Sequence, residues 1–137
     1  MAERVLDVFF YGLFMDSGLL RDKGVRPSDI RLAAVPGFAL RIGARAALVP
    51  DTDAIAHGAV MKLSHADIQT LYSEPSVAAY KPEPVLANLQ DGRTVAALCF
   101  NLPEAPSPDE RNAEYATRLR VVAQRVGLPG DYVKFIR

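Results

Sequence analysis

The stretch VLDVFFYGLFMDSGLL, residues 5–20, contains the pattern around which the rest of the chain is interpreted. It begins with alternating β-branched and aromatic residues, which is typical of a strand, and this run stops at Tyr11-Gly12. Glycine has no Cβ and permits positive φ, so Gly12 favours a sharp turn out of the strand. Asp16 is a typical N-cap for a short helix that ends before Gly24. The backbone N–H groups of such a turn point into one small space, which suits a carboxylate or an oxyanion.

Length and composition indicate one globular domain over residues 1–137. Half of the residues are hydrophobic and 23% are charged, as in ordinary proteins with a single core. No apolar run approaches the roughly 20 residues that cross a bilayer, and residues 1–10 lack a signal-peptide layout. The single cysteine, Cys99, excludes an internal disulfide and fits a reducing compartment. We therefore expect a cytoplasmic protein with no membrane partner.

The charge pattern argues against a nucleic-acid partner. Sixteen basic and sixteen acidic side chains cancel, whereas proteins that bind phosphate backbones normally show a basic stripe. The arginines between residues 111 and 125 are interleaved with Glu110 and Glu114, which is typical of a solvated helix face. A homodimer is compatible with the sequence, which carries no sign of oligomeric state.

Many short strands separated by turn signals predict a barrel or a strongly curled sheet. Strands are predicted over residues 30–35, 38–42, 46–49 and 55–63, with a turn at 52–54. Gly58, inside the last of these, marks a bulge or a close approach to the backbone. The dipeptide Asp91-Gly92 lies between apolar runs at 80–89 and 94–102 and predicts a hairpin.

Two capping-box patterns predict helices. Ser64-His65-Ala66-Asp67 starts a short helix through Leu71, which ends before Pro75. Ser107-Pro108-Asp109-Glu110 starts a second helix over 109–126, with Gly127 as its left-handed cap. One face of this second helix is apolar and should pack on the sheet. The tail at 131–137 carries enough apolar side chains to be docked.

Nucleophile, phosphate-loop and dinucleotide motifs do not occur in the sequence. Cys99 lies within an apolar strand, which indicates a buried structural thiol. His57 and His65 have no second pair of ligands at metal spacing. We predict neither a metal nor a cofactor.

The segment VFFYGLFMDSGLL resembles the N-terminal motif of the gamma-glutamylcyclotransferase-like family, in which a strand ends in Tyr-Gly. Tyr11, Gly12 and Met15 match the family pattern. Leu13 and Phe14 depart from its usual Ser/Thr and Leu/Asn, which removes a side-chain donor at Leu13 but leaves the backbone amides. The pattern alone favours an ordinary buried strand and connection that bind nothing, and this resemblance favours a binding turn.

A second region resembles the same family. There a strand and a short helix lead to Leu-Asp-x-x-Glu-Gly, with a tyrosine later; here residues 58–63 and 64–71 precede Glu74, and Tyr80 follows. Thr70, Leu71 and Pro75 depart from the family's Leu, Asp and Gly. The resemblance covers roughly residues 5–102, including 36–38 and 47–51, and implies an α+β fold: a small closed or strongly curled mixed β-barrel with flanking helices.

The resemblance also implies an activity, the cyclisation of a γ-glutamyl amine or peptide to 5-oxoproline with release of the amine. The substrate's own α-amino group is the nucleophile, so one glutamate, Glu74, would serve as general base and then as general acid. The implied partner is a small-molecule γ-glutamyl substrate. The residues implied to bind it are Tyr11, Gly12, Leu13, Phe14 and Tyr80.

An alternative function stays open, a non-catalytic protein on the same fold that binds a small carboxylate or serves a structural role. Leu13, Phe14 and Pro75 favour this alternative, because they replace family motif residues. The base-rate expectation for Glu74 without the resemblance is an exposed surface acid. Glu83, the next acid along the chain, is expected to be a strand residue facing solvent.

Overall fold

A computed structural model describes residues 4–137 and shows a closed barrel of five strands. The strands follow one another around the barrel in the order β1-β3-β2-β4-β5. The pairing of β5 with β1 is parallel and closes the barrel, while the other pairs are antiparallel. The strands are β1 (Val5–Phe10), β2 (Ser28–Ile42), β3 (Ala46–Ser64), β4 (Lys81–Leu89) and β5 (Thr94–Asn101).

Helices flank this barrel, so the predicted α+β fold, a closed mixed barrel with flanking helices, is confirmed. A single 3₁₀ turn, Leu13–Met15, follows β1. The α-helices are α1 (Ser17–Asp22), α2 (His65–Tyr72), α3 (Ala113–Val126) and α4 (Gly130–Lys134). No helix within residues 4–137 combines the length and the apolar character needed to span a membrane.

The side chains form two apolar layers, because successive strand residues point to opposite faces. Phe9 and Cys99 belong to the cluster inside the barrel. Val8 and Phe100 belong to the cluster between the barrel wall and the helices, which includes Leu119 of α3. The prediction that the apolar face of this helix, α3, packs on the sheet is therefore confirmed.

Two predicted strand breaks do not exist. The strand β2 runs through Pro36 with only a register shift between Pro36 and Phe38. The strand β3 runs through residues 52–54, where a turn was predicted, and continues to Ser64. Pro36 pairs with Ile55 and Phe38 pairs with Pro50, so residues 51–54 of β3 are accommodated as an irregularity of the ladder and do not end either strand.

Gly58 marks the close approach that its place inside a strand indicated. It lies in β3, opposite Ala33 of β2. A Cβ at this position would collide with the carbonyl oxygen of Phe10 and with the ring of Phe9. The absence of a side chain therefore allows the end of β1 to lie directly against β3.

The capping predictions are confirmed in part. Asp16 caps α1 by accepting from the N–H groups of Gly18 and Leu19, at 3.0 and 3.4 Å. Ser64 caps α2 by accepting from the N–H of Asp67 at 3.1 Å. The Asp67 carboxylate does not return to Ser64 but accepts from the Arg26 N–H at 3.0 Å, so it fastens the α1–β2 connection instead.

The helix α3 begins later than predicted, at Ala113 rather than at residue 109. The Glu110 N–H bonds the Ser107 carbonyl at 3.0 Å, and this turn is not continued as a helix. Asn112 is the N-cap, accepting from the Tyr115 N–H at 3.0 Å, and its amide donates to the Ala44 carbonyl at 3.0 Å. The helix therefore starts where Asn112 can also hold the β2–β3 turn. Gly127 ends α3 with φ of 96°, as predicted.

The tail is docked through some of its apolar residues only. Ile136 is buried, while Phe135 is exposed over 72% of its surface. The prediction of a docked tail thus applies to Ile136 and not to Phe135.

Candidate active site

An open cavity of about 530 Å³ lies where the end of β1, the β2–β3 turn, the segment after α2 and the helix α3 meet. It is lined by every residue to which the sequence analysis gave a role. Those residues are Tyr11, Gly12, Leu13, Phe14, Glu74 and Tyr80. Their roles in binding and catalysis stay predictions, and their proximity is a fact of the structure.

Gly12 does not use the positive φ that the sequence suggested, since its φ is −113° and its ψ is −153°. Any residue can adopt this extended backbone. The constraint comes from outside the turn, because a Cβ at Gly12 would lie 2.8 Å from the hydroxyl oxygen of Tyr115. Glycine at this position therefore leaves room for a side chain of α3.

The turn after Gly12 directs one amide at that same hydroxyl. The N–H of Leu13 donates to the Tyr115 hydroxyl at 3.4 Å. The N–H groups of Met15 and Asp16 bond back to the carbonyls of Gly12 and Leu13, each at 3.0 Å. The Leu13 amide is thus the member of the predicted amide cluster that meets a polar group of the cavity wall.

Tyr115 is a cavity residue that the sequence analysis missed. It is half-buried, and burial raises the pKa of its hydroxyl above the ordinary tyrosine value, so the hydroxyl stays protonated at neutral pH. Its position follows from Asn112, which caps α3 and fixes the first turn of that helix. The sequence offers one local signal for this start, since Asn112 is a residue type that commonly caps helices.

Glu74 lies between α2 and β4 and contacts a lysine that follows α1. The Nζ of Lys23, the residue after α1, is 2.8 Å from Oε1 and 3.0 Å from Oε2 of Glu74. The two side chains are 26% and 35% exposed. Glu74 is therefore neither the freely exposed surface acid expected by base rate nor an isolated base, because both of its oxygens accept from one ammonium.

The hydroxyls of the two predicted cavity tyrosines bond to backbone carbonyls. Tyr11 donates to the carbonyl of Phe100 at 3.0 Å, and Tyr80 donates to the carbonyl of Ala46. Burial raises the pKa of both hydroxyls above the ordinary tyrosine value, so they are neutral donors. Both hydroxyls hold backbone in the free protein.

An aromatic wall completes the cavity. The ring of Phe14 meets Phe10 and Tyr72 edge to face, with centroids 6.1 and 6.0 Å apart. Tyr72 in turn stacks on Phe100 with centroids 3.9 Å apart. Phe14, which differs from the residues usual in the family at this position, thus adds apolar surface to the cavity wall.

Two further cations line the cavity, Arg45 of the β2–β3 turn and Arg118 of α3. Both are exposed, and neither forms an ion pair within the described part of the chain. The cavity therefore combines one carboxylate with three cationic side chains and carries excess positive charge.

A buried amide links the cavity wall to the barrel interior. Asn101, 8% exposed, accepts from the Leu48 N–H at 2.9 Å and donates to the Leu48 carbonyl at 2.8 Å. It also donates to the Glu83 carboxylate at 3.0 Å and lies 3.2 Å from the Tyr11 hydroxyl. The expectation that Glu83 faces solvent is wrong, because Glu83 lies on the same face of β4 as buried Val85 and is itself half-buried.

No group of three or more His, Cys, Asp or Glu side chains within residues 4–137 has a metal-binding arrangement. His57 packs edge to face on Tyr132 with centroids 4.8 Å apart, and burial lowers its pKa. Cys99 is fully buried, as predicted, and burial raises the pKa of its thiol to about 12. Neither side chain is a lining residue of the cavity.

The fold and the cavity define a class: a small closed mixed β-barrel in which a carboxylate and a backbone amide from distant segments face one open space. The sequence matches no protein-family model and no curated protein. Comparison with solved structures shows the same architecture in several proteins.

A structure described as a gamma-glutamyl cyclotransferase is similar over 98% of this chain and 89% of that one, with 18% identity and a TM-score of 0.79. An uncharacterised protein from Homo sapiens is 20% identical, with coverage of 98% and 89% and a TM-score of 0.76. YkqA from Bacillus subtilis is 18% identical with a TM-score of 0.78; 96% of this chain spans 52% of YkqA. The chain therefore has the gamma-glutamylcyclotransferase-like fold.

Proposed function

We propose that this protein cyclises a γ-glutamyl amine or peptide to 5-oxoproline and releases the amine, with Glu74 as general acid and base. One observation supports the proposal most directly. Glu74 and the Gly12–Phe14 turn, far apart in sequence, line one cavity. A proton-transfer group and an anion-binding amide must face the same substrate for this chemistry.

The reaction needs no nucleophile from the protein. Glu74 takes a proton from the substrate's α-ammonium, and the free amine attacks the γ-carbonyl carbon to form the ring C–N bond. The amide C–N bond then breaks, and protons from the ring nitrogen pass through Glu74 to the departing amine, which leaves as an ammonium ion. The products are 5-oxoproline and that amine, so one carboxylate can serve both transfers.

The Leu13 N–H and the Tyr115 hydroxyl lie where they can act on negative charge. Both are hydrogen-bond donors, and the hydroxyl currently accepts from the amide at 3.4 Å. A substrate oxygen placed between them would accept from both, as oxyanion holes do in acyl transfer. The aromatic wall would hold the substrate's carbon chain and bring amine and carbonyl together.

The test is incubation of the purified protein with a panel of γ-glutamyl amino acids and γ-glutamyl amines, followed by assay for 5-oxoproline. We expect time-dependent release from at least one substrate and loss of that release in Glu74→Gln. Absence of 5-oxoproline across the panel would reject the proposed reaction.

A non-catalytic protein that binds a small carboxylate is the second candidate. The engagement of both Glu74 oxygens by Lys23 favours it, because the carboxylate cannot accept a substrate proton while this ion pair persists. Binding of γ-glutamyl compounds without any 5-oxoproline release would support this candidate.

The location, the partners and the oligomeric state of the protein stay predictions. A cytoplasmic location, the absence of nucleic-acid and membrane partners, and a possible homodimer were inferred from composition, charge and cysteine content. Light scattering of the purified protein measures the oligomeric state directly.

A further inference from the structure

The ion pair in the cavity has to rearrange before Glu74 can act on a substrate. The ammonium of Lys23 contacts both carboxylate oxygens, at 2.8 and 3.0 Å. An incoming α-ammonium needs at least one of those oxygens as its own acceptor. Binding therefore displaces Lys23 from part or all of its contact with Glu74.

A displaced Lys23 needs a new counter-ion. Its side chain is 26% exposed, and within residues 4–137 its ion-pair partner is Glu74. Partly buried charges that lose their partner are unfavourable, because desolvation is no longer compensated. The substrate itself can supply the counter-ion, since an α-amino acid head carries an ammonium and a carboxylate on one carbon atom.

We propose that Lys23 binds the α-carboxylate of the γ-glutamyl substrate while Glu74 binds its α-ammonium, so that the ion pairs exchange partners on binding. This inference rests on the proposed function and names a residue that determines its specificity. Each charge stays paired in the free protein and in the complex. The Leu13 amide is then left for the oxygen of the γ-carbonyl.

The exchange gives a distinct selectivity. A 4-aminobutanoyl amide has the same amine, the same carbonyl and the same chain between them, but it lacks the α-carboxylate. Its ammonium would take Glu74 and leave Lys23 without a counter-ion. Such compounds should be poor ligands for the wild type because of Lys23, and much less disfavoured once Lys23 is neutral.

The first measurement compares γ-glutamyl anilide with 4-aminobutanoyl anilide by aniline release. In Lys23→Met, kcat/KM for γ-glutamyl anilide should fall about 10- to 100-fold, the value of one charge-assisted hydrogen bond. The value for 4-aminobutanoyl anilide should stay the same or rise. Lys23→Arg should restore part of the discrimination, because it keeps the positive charge.

Arg118→Met is the matched control, since Arg118 lines the same cavity without contacting Glu74. It should leave the ratio of the kcat/KM values for the two anilides within about threefold of the wild-type ratio. The loss of one charge-assisted hydrogen bond would change this ratio more. Thermal melts of all variants exclude folding defects. Should Lys23→Met melt early, Lys23→Gln, which keeps a polar end, replaces it.

The second measurement needs no turnover. Calorimetric titration with L-glutamine and with 4-aminobutanamide reports binding of the head group with and without its α-carboxylate. We expect wild type to bind L-glutamine at least about 10-fold more tightly and Lys23→Met to bind the two alike.

Absence of L-glutamine binding, equal binding of both compounds by wild type, or unchanged discrimination in Lys23→Met would each overturn this assignment. Discrimination that depends on Lys23 without release of 5-oxoproline would instead uphold the assignment and reject the proposed reaction. The two ideas therefore fail in different ways.

Discussion

Glu74 and Glu83 are the same chemical group in two different settings. Glu74 follows a helix, faces an open cavity and is held by a charged side chain on a long flexible stem. Glu83 is on a strand, lies beside the barrel interior and is held by the amide of Asn101, which is itself fixed by the backbone of Leu48. A partner that can leave makes a carboxylate available for proton transfer, whereas a partner built into the backbone network makes it a structural element.

The largest expected effect separates the two carboxylates by activity. Glu74→Gln should lower turnover of a true substrate by about 10²–10⁴-fold, because the amide cannot cycle a proton. Its stability should change by less than about 1 kcal/mol, since the lost ion pair is partly exposed. Glu83→Gln is the matched control and should retain most activity. The measurements are 5-oxoproline release and thermal melts.

The reverse result, with turnover intact in Glu74→Gln and abolished in Glu83→Gln, would exchange the two assignments. Loss of turnover in both variants with unchanged melts would mean that the barrel-interior network takes part in the chemistry.

The second effect concerns what holds Glu83. Asn101→Leu should lower the free energy of unfolding by about 2–4 kcal/mol, because it leaves the Leu48 backbone groups and Glu83 without their partner. Asn88→Leu, at an exposed position of β4, should change it by less than about 0.5 kcal/mol. Urea unfolding measures both. Equal effects in the two variants would contradict the importance given to this network.

The third effect tests whether the Tyr115 hydroxyl is what requires glycine at position 12. Gly12→Ala places a Cβ 2.8 Å from the Tyr115 hydroxyl and should destabilise the protein by about 1 kcal/mol. Tyr115→Phe removes that oxygen, so the double variant should recover most of the loss that Gly12→Ala causes. Additive losses, measured as a double-mutant cycle, would show that the constraint at Gly12 lies elsewhere.

The smallest effect concerns the charge of Glu83 itself. The thiol of Cys99 has a pKa raised to about 12, first by burial and then by the nearby Glu83 carboxylate. A raised pKa means less thiolate at any lower pH, so iodoacetamide should modify the folded protein very slowly at pH 8 and the unfolded protein readily. Glu83→Gln should accelerate the reaction of the folded protein only slightly, because burial is the larger cause. Rapid alkylation of folded wild type would contradict this.

Local signals in the sequence predicted much of the fold. The Asp16 and Ser64 caps, the hairpin at Asp91-Gly92 and the left-handed Gly127 depend on neighbouring residues, and all occur as predicted. The prediction that β2 and β3 are each two shorter strands is wrong. Proline and glycine predict strand ends, but here the pairing of β2 with β3 continues past them with a register shift.

The long-range contacts of the site could not be predicted. Lys23 and Glu74 are 51 residues apart, and Leu13 and Tyr115 are 102 apart, so no local pattern relates them. The position of Glu83 was predictable but was misjudged. Val85, Ala87 and Leu89 alternate with exposed residues, and the same period of two places Glu83 on their face.

The parallel pairing of β1 with β5, Val8 with Leu98 and Phe9 with Cys99, has a consequence for how the chain reaches its folded state. Joining segments so distant in sequence is entropically expensive, so this seam should form late in folding. Until it forms, β1 and β5 are open edges whose unpaired backbone groups can recruit other chains. Completing the pairs of β1, the strand that leads into the Gly12 turn, thus also protects the protein from aggregation.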